Sequence, residues 1–220
     1  MSHGPSQSPE TASAAATSAG PSSESSGTNA VRTLLDEAGI QRSLVRIAHE
    51  IVERTSEPEL LYLVAIPNGG IPLARRLARA LREIADLLVP VGILDTTLYR
   101  DDLLTTGERP ALRRTEMPSA VDGHIVVLVD DVVKTGRTIR AAMDALMDFG
   151  RPRAVQVVGL VDRGHRELPI KLDYVGKNVP TRTGEQVHLR EVEGGDGVLE
   201  MVVFGAPDGD AASEGRRGEP

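Results

Sequence analysis

The sequence has no cysteine and no tryptophan among its 220 residues. Without cysteine the protein has no disulfide, no thiolate nucleophile, no zinc finger and no iron–sulfur cluster, which suits a reducing compartment. Three tyrosines and two phenylalanines are the only large aromatic side chains. This scarcity argues against a sheet that stacks RNA bases on aromatic residues. The core must instead be built from Leu, Ile, Val, Ala and Met.

Long apolar runs are also missing. No stretch approaches the roughly 20 apolar residues of a membrane-spanning helix, and the N-terminus lacks the basic and apolar segments of a secretory signal. We therefore expect a cytoplasmic protein with no membrane partner. The net charge is −7, from 25 basic and 32 acidic residues. This balance argues against a nonspecific nucleic-acid coat protein but is compatible with a local basic patch.

The two ends differ in composition from the middle of the chain. Residues 1–28 contain nine Ser, five Ala, three Pro and three Gly, and no Leu, Ile, Val, Phe, Tyr or Trp. Such a segment cannot offset the entropy of ordering itself, so we expect a disordered extension there. Residues 206–220 are similarly poor in apolar side chains and are expected to form a disordered tail. One folded domain is then predicted at 29–205.

Helical and strand-like patterns alternate within the predicted domain. Residues 125–129 are five consecutive apolar residues, which predicts a strand covered on both faces, as in a parallel sheet. With the helix and strand that follow, residues 125–161 form a predicted βαβ crossover. We therefore predict an α/β fold with a mainly parallel central sheet flanked by helices. Helices are predicted at 44–52, 72–84 and 139–147, and further strands at 61–66, 89–98 and 154–161.

Three loops are candidate binding sites, because ligands of open α/β sheets bind beyond the carboxyl ends of the strands. These loops are 67–70, 130–138 and 162–166. A fourth segment, 99–118, is polar and contains glycine and proline, so it is predicted to be a long loop or a hairpin.

The run Asp130-Asp131-Val-Val-Lys-Thr-Gly-Arg-Thr138 carries the richest chemistry. It joins a buried strand to a helix N-terminus, where free N–H groups and the helix dipole attract anions. Gly136 allows the backbone to approach a ligand closely. Hydroxyl and cationic side chains lie beside it: Lys134, Thr135, Arg137 and Thr138.

Two carboxylates next to an anion site need an explanation, since they would repel a phosphate. They are accounted for if the ligand also carries hydroxyl groups or Mg²⁺. A phosphorylated sugar with a vicinal diol meets both conditions, with its hydroxyls on Asp130 and Asp131. The alternative is an ordinary helix capped by Thr135 or Thr138, preceded by solvated acids. The spacing matches neither a Walker A loop nor the dinucleotide-binding glycine motif.

The run V-V-L-V-D-D-V-V-K-T-G-R-T at 126–138 resembles the phosphoribosyl-diphosphate signature of type I phosphoribosyltransferases. Longer strings are similar to one family among them, the bifunctional pyrimidine-operon attenuation regulators and uracil phosphoribosyltransferases (the PyrR family). The resemblance covers nearly all of 30–203. The most specific strings are V-D-R-G-H-R-E-L-P-I at 161–170 and Y-V-G-K-N-V-P-T at 174–181, supported by R-I-A-H-E at 46–50 and L-Y-R-D-D at 98–102.

The resemblance implies an enzyme that joins uracil to phosphoribosyl diphosphate, giving UMP and diphosphate. Mg²⁺ is implied as a cofactor that arrives with the substrate, without a protein metal site of its own. Asp130 and Asp131 are the implied catalytic residues, and 99–118 is the implied lid over the diphosphate, with Arg100 or Arg113 and Arg114 as its cations. The other implied substrate-binding residues are Lys134, Thr135, Gly136, Arg137 and Thr138 at the 5′-phosphate, Asn68 and Gly69 at the diphosphate, and Val161, Asp162 and Arg163 after the last strand, facing the base.

Two positions depart from the family pattern. The loop that usually reads Thr-Arg-Gly is here Asn68-Gly69-Gly70, so a hydroxyl and a guanidinium are missing. Position 134 is usually aromatic and is Lys134 here, which either adds charge near the phosphate or points to solvent. We therefore expect weakened catalysis, and we expect an arginine installed at Gly69 to raise it.

The resemblance also implies a regulator that binds leader mRNA of the pyrimidine operon when UMP or UTP is bound, favouring transcription termination. It implies a homodimer or a higher homo-oligomer. The candidate RNA-binding residues are Arg46, His49, Arg54, His165, Arg166, Lys171 and Lys177. The alternative for each is ordinary solvated charge, or for His49 a hydrogen-bonded interface histidine. Two other functions stay open: an RNA-binding regulator that has lost catalysis, and a phosphoribosyltransferase for another base without an RNA role.

Overall fold

The computed structural model describes residues 31–67, 69–101, 114–182, 184–194 and 197–205. The predicted extension at 1–28 and the predicted tail at 206–220 lie outside these residues, as do Asn68, Arg113 and most of the predicted lid. The domain boundaries at 29 and 205 therefore stay predictions.

Helices and strands alternate through the described chain. The helices are α1 (Glu37–Arg54), α2 (Gly70–Ala85) and α3 (Arg137–Leu146). The strands are β1 (Val31–Leu35), β2 (Leu61–Ala65), β3 (Val91–Ile93), β4 (Ile125–Val133), β5 (Ala154–Asp162), β6 (Tyr174–Asn178), β7 (Gln186–Glu191) and β8 (Leu199–Phe204).

A parallel five-stranded sheet forms the centre of the fold, in the order β3-β2-β4-β5-β6. Alternate residues of each central strand point to opposite faces, so the sheet separates two cores. Leu63 of β2 packs with α1 and α2, whereas Tyr62 and Val64 pack with α3. The predicted α/β class with a mainly parallel, helix-flanked sheet is confirmed. None of the helices in the described ranges combines the length and apolar character needed to cross a membrane.

A second, antiparallel sheet, β1-β8-β7, was not predicted. Its apolar residues join the core of α1 and α2, but Val187 is the only fully buried residue of β7. A strand with so little apolar alternation gives a weak sequence signal. Because β6 to β8 follow β5, the segment 161–166 does not follow the last strand, and that part of the prediction is wrong.

Glu37 fastens the second sheet to the helices. One carboxylate oxygen accepts the N–H of Leu199 at 2.7 Å, and the other accepts a hydrogen bond from Arg76. Arg76 in turn donates to the Gly197 carbonyl at 2.7 Å. Burial raises the pKa of Glu37, but the hydrogen bonds from Leu199 and Arg76 outweigh it and leave the pKa below its ordinary value. The carboxylate therefore stays charged and holds the β7–β8 connection in place.

The strand predicted at 89–98 is limited to β3, residues 91–93. The Asp95 side chain accepts hydrogen bonds from the N–H and the hydroxyl of Thr97, at 2.9 Å and 2.6 Å. Such a side-chain turn competes with the strand ladder, so the chain bends into a short 3₁₀ helix at Thr97–Tyr99. The bend starts the segment predicted to be the lid.

Candidate functional site

The loops after β2, β4 and β5 meet at one edge of the parallel sheet, as the loop prediction requires. Strand β4 is longer than predicted, because Val132 and Val133 pair with Val161 and Asp162 of β5. Asp130 and Asp131 therefore lie in the strand and not in a loop. The loop itself shortens to Lys134–Gly136, which we call the phosphate loop.

A cavity of ≈ 270 Å³ opens at this edge, beside the phosphate loop. It brings together six of the predicted substrate-site residues with three apolar neighbours. Its lining residues are Arg100, Asp130, Val132, Val133, Lys134, Thr135, Gly136, Thr138 and Ile139.

Gly136 ends the phosphate loop in a left-handed conformation, with φ = 91°. A side chain is strained there, and a Cβ atom would lie 3.4 Å from the side chain of Ile170. The hydroxyl of Thr135 accepts the N–H of Arg137 at 3.3 Å, which is part of the capping alternative. This cap satisfies only the N–H of Arg137, and other N–H groups at the start of α3 remain available.

Backbone N–H groups are available around the cavity. Among the described residues, none accepts a hydrogen bond from the N–H groups of Lys134, Thr135, Gly136, Thr138 or Ile139. All five of these residues line the cavity. N–H groups clustered at a helix N-terminus bind phosphate through hydrogen bonds and the helix dipole. The geometry therefore supports an anion site at the phosphate loop.

Asp130 lines the cavity and is 4% exposed. Burial raises the pKa of its carboxyl well above the ordinary value, and the charge of Asp131 raises it further, while Arg100 opposes the shift. The carboxyl oxygen accepts the N–H of Asp131 at 3.0 Å. Two adjacent carboxylates in such surroundings favour a proton, a donor hydroxyl or a cation nearby. This pair fits the hydroxyls of a sugar, and it also fits Mg²⁺ carried by a substrate.

Asp131 occupies the space in front of Gly69. A Cβ atom on Gly69 would lie 2.3 Å from the carboxyl carbon of Asp131 and 2.5 Å from its Cβ. No real Cβ contact is that short, so any side chain at position 69 displaces Asp131. This contact argues against our expectation that an arginine at Gly69 raises activity. Gly70 is equally close-packed, because its Cβ would lie 2.4 Å from the Val129 carbonyl oxygen.

Arg137 lies beside the cavity but its guanidinium has other partners. It donates to Glu167 and to Asp101, both at 2.7 Å. Arg140, one turn later, donates to the Tyr99 carbonyl at 2.7 Å and to Asp144 at 2.8 Å. These arginines fasten the start of the predicted lid to α3. Sequence reasoning missed Arg140, although its i, i+3 spacing from Arg137 places both on one face of the helix.

The predicted base-facing residues are only partly directed toward the cavity. Val161 is buried in the core beside α1 and α2. Arg163 is 7% exposed and donates to the Thr181 hydroxyl at 2.9 Å and to the Glu185 carbonyl, so it points toward the β6–β7 connection. Asp162 accepts the N–H of Gly164 at 2.9 Å. None of the three lines the cavity, and their roles at the base stay predictions.

Arg46 and Arg54, two predicted RNA-binding residues, cover the outer edge of β6. Arg46 donates to the carbonyls of Val175 and Gly176, at 2.9 Å and 2.8 Å. Arg54 donates to the Asp173 carbonyl at 3.0 Å and lies over the Tyr174 ring, 5.3 Å from its centroid. An edge strand has carbonyls without a strand partner, so these arginines also serve the fold.

Of the other RNA-binding candidates, three contact backbone carbonyl groups of the fold. His49 and Lys171 are exposed. Lys177 donates to the Leu34 carbonyl at 3.1 Å, and His165, at φ = 52°, lies 2.8 Å from the Thr181 carbonyl oxygen through its Nε2. Arg166 is held by several acceptors near the phosphate loop, described below. An RNA contact by any of these residues remains a prediction.

Metal-binding side chains do not cluster in the described ranges, where no group of three or more His, Asp or Glu residues is placed to hold an ion. Asp130 and Asp131 in β4 offer carboxylate oxygens, the ligand type that Mg²⁺ prefers, and a substrate would supply the remaining ligands.

Comparison with known structures shows the same architecture. A hypoxanthine phosphoribosyl transferase from Trypanosoma cruzi has a TM-score of 0.61 and 22% sequence identity, over 79% of this chain and 90% of that chain. A hypoxanthine-guanine phosphoribosyltransferase from Bacillus anthracis has a TM-score of 0.56 and 23% identity, over 68% of this chain and 84% of that chain. At such identities the likeness concerns the fold alone, and it confirms the predicted type I phosphoribosyltransferase fold.

Comparison of sequences is more specific. The family model of the phosphoribosyl transferase domain matches residues 31–191. The bifunctional protein PyrR of Pelotomaculum thermopropionicum is 58% identical over 168 residues, which are 76% of this chain and 93% of that protein. The bifunctional protein PyrR of Thermus aquaticus is 55% identical over 167 residues, 75% of this chain and 92% of that protein. The chain therefore belongs to the phosphoribosyl transferase domain family and, within it, to the family of bifunctional PyrR proteins.

Proposed function

We propose that this protein is a uracil phosphoribosyltransferase that also regulates the pyrimidine operon by binding its leader mRNA. In the enzymatic reaction, uracil and phosphoribosyl diphosphate give UMP and diphosphate. In the regulatory role, bound UMP or UTP promotes RNA binding and thereby transcription termination by attenuation. Membership of the bifunctional PyrR family supports both halves of the proposal.

One observation carries the enzymatic half: Asp130 and backbone N–H groups that find no acceptor among the described residues line the same small cavity, and Asp131 follows Asp130 in β4. The N–H groups of Thr135, Gly136 and Thr138 suit a phosphate, and Asp130 with Asp131 suits a vicinal diol. A 5-phosphorylated ribose presents both groups. The acidic residues in β4 and the anion site at the phosphate loop that follows it therefore orient the sugar between them.

The residues of the chain act mainly by positioning and by charge. The phosphate loop holds the 5′-phosphate, and Asp130 and Asp131 accept hydrogen bonds from the ribose hydroxyls, so the sugar ring is fixed for attack at C1. As the bond to diphosphate breaks, positive charge develops on the ribose, and the nearby carboxylates stabilise it. When bound with the substrate, Mg²⁺ neutralises charge on the leaving diphosphate. Arg100, which lines the cavity, supplies a cation from the start of the predicted lid.

An assay of UMP formation tests the enzymatic half. Purified protein with uracil, phosphoribosyl diphosphate and Mg²⁺ is expected to release UMP, and the same mixture with hypoxanthine or cytosine is expected to give no nucleotide. Product from another base alone would contradict the choice of uracil and support the alternative transferase. No product from any base, with UMP binding retained, would contradict catalysis and leave a nucleotide-binding regulator.

The regulatory half predicts nucleotide-dependent RNA binding. A hairpin RNA from a pyrimidine-operon leader is expected to bind more tightly with UMP than without it, and the affinity is expected to fall as salt rises, because phosphate contacts release counterions. Filter binding or fluorescence anisotropy measures both effects. A His49→Ala/Lys171→Ala variant is expected to bind about 10-fold more weakly, since both exposed side chains would lose RNA contacts.

Arg153→Gln is the matched control for this experiment, because Arg153 is an exposed surface cation, paired with Glu57, that is not among the candidate RNA-binding residues. It is expected to bind RNA like the parent protein. Binding that ignores UMP and salt would argue against the regulatory role. Equal losses in the His49/Lys171 variant and the control would argue against these two residues as RNA contacts.

We also propose a location and an oligomeric state for the protein. We place it in the cytoplasm, where leader mRNA is transcribed and pyrimidine nucleotides are made in bacteria that carry PyrR. We propose a homodimer or a higher homo-oligomer, as the resemblance to the PyrR family implies.

A further inference from the structure

The segment 163–170 is hydrogen-bonded to the phosphate loop, and none of its residues lines the cavity. The N–H of Arg163 donates to the Val133 carbonyl at 2.9 Å. The Thr135 carbonyl accepts two hydrogen bonds from the same segment, from the N–H groups of Glu167 and Leu168 at 3.0 Å and 3.2 Å. The loop is therefore held by its carbonyl groups on one side.

The Lys134 carbonyl lies between these two and is held differently. Its hydrogen bond comes from a side chain, Nη1 of Arg166, at 2.7 Å. No backbone N–H of the described residues donates to this oxygen. Arg166 is thus the group that orients the peptide between Lys134 and Thr135.

Because peptides are planar, the hydrogen bonds to the loop carbonyls also fix the directions of the loop N–H groups. In a trans peptide the C=O and the following N–H point in opposite directions. When the carbonyls of Val133, Lys134 and Thr135 face segment 163–170, the N–H groups of the next residues face away from it. Those are the N–H groups of Lys134, Thr135 and Gly136, which lack acceptors among the described residues and line the cavity.

All three nitrogen atoms of the Arg166 guanidinium donate hydrogen bonds. Its Nε donates to the Ile170 carbonyl at 3.0 Å, and Nη1 also reaches the Gly164 carbonyl at 3.2 Å. Its Nη2 donates to Asp162 at 2.8 Å. A planar fork with five N–H donors can reach acceptors on the phosphate loop and on both ends of the segment at once, whereas a lysine ammonium cannot.

We propose that Arg166 is a positioning residue of the phosphate site: it holds the Lys134–Thr135 peptide so that its N–H points at the 5′-phosphate of the substrate. The proposal rests on the proposed function of the loop as a ribose-phosphate site. It assigns Arg166 a role at the phosphate that needs no RNA. The phosphate is recognised by the backbone, and the arginine acts behind that backbone.

The test compares Arg166→Gln and Arg166→Lys with the parent protein, using ribose 5-phosphate in calorimetric titration and uracil with phosphoribosyl diphosphate in turnover. Arg166→Gln is expected to bind ribose 5-phosphate about 10-fold more weakly, which corresponds to the loss of one charge-assisted hydrogen bond to the loop. The KM for phosphoribosyl diphosphate is expected to rise by about the same factor, with the KM for uracil changed less than about twofold.

Arg166→Lys separates positioning from charge. It keeps the positive charge and loses the fork, so it is expected to be nearly as defective as Arg166→Gln. Millimolar guanidinium, added to Arg166→Ala, is expected to restore part of the ribose 5-phosphate affinity. Arg153→Gln is expected to behave like the parent protein in every assay, and circular dichroism shows whether each variant is folded.

Normal ribose 5-phosphate binding by a folded Arg166→Gln would overturn the proposal, and so would full activity of Arg166→Lys, which would assign the effect to charge alone. If Arg166→Gln does not fold, the Arg166→Lys and guanidinium experiments test whether Arg166 positions the loop. If the parent protein binds ribose 5-phosphate but forms no UMP, the proposed enzymatic function fails while the titrations still test Arg166.

Discussion

A Gly136→Val variant is expected to lose at least about 100-fold in affinity for UMP, which corresponds to about 2.7 kcal/mol. Gly136 has φ = 91°, a conformation that is unfavourable for L-residues and worst for β-branched ones. Valine would also crowd Ile170, which is 3.4 Å from a Cβ built on Gly136. The loop must then either keep the strain or rotate this peptide, and rotation turns N–H groups away from the cavity. Calorimetric titration with UMP measures the loss.

Gly123→Val is the matched control for this variant. Gly123 also has a positive φ, 71°, but no atom lies within 4 Å of a Cβ built on it, and it precedes the opposite end of β4. The control is expected to lose stability in thermal unfolding while it binds UMP normally. UMP binding by Gly136→Val within about threefold of the parent protein would contradict the assignment of the phosphate to this loop.

A Gly69→Arg variant is expected to lower kcat/KM for phosphoribosyl diphosphate by about 10- to 100-fold. Resemblance alone suggests the reverse, because the family pattern has arginine there. In this structure, however, a Cβ at position 69 would lie 2.3 Å from the carboxyl carbon of Asp131. The new side chain therefore displaces a residue proposed to hold the ribose. Steady-state turnover of uracil measures the effect.

A double-mutant cycle with Asp131→Ala identifies the cause. If Gly69→Arg acts by displacing Asp131, its effect largely disappears once the Asp131 carboxylate has been removed, because contacting residues are not additive. Equal effects in both backgrounds would contradict this explanation. Increased activity of the single variant would show that the loop adjusts and that the missing guanidinium limits catalysis.

The centre of the site could be predicted because its residues follow one another closely in the sequence. An apolar strand, two aspartates, a short polar loop with glycine and a helix start follow one another within 125–139, so their geometry depends on neighbouring residues. The structure places Asp130, Thr135, Gly136 and Thr138 around one cavity, as that order implies. The parallel sheet was predictable for the same reason, since strands buried on both faces have continuous apolar runs.

Contacts between distant segments were decided only by the tertiary structure. Asp131 against Gly69, Arg166 behind the phosphate loop, and Arg46 on the edge of β6 each join parts of the chain that sequence spacing does not relate. The second sheet was missed too, because β1 and β7 each bury only one residue and the sheet depends on packing against α1 and α2. An arginine in a sequence is only a flexible cation with five donors, and packing determines which acceptors it finds. The residue types therefore define the chemistry of the site, whereas the fold determines which charges face the ligand and which support the loop behind it.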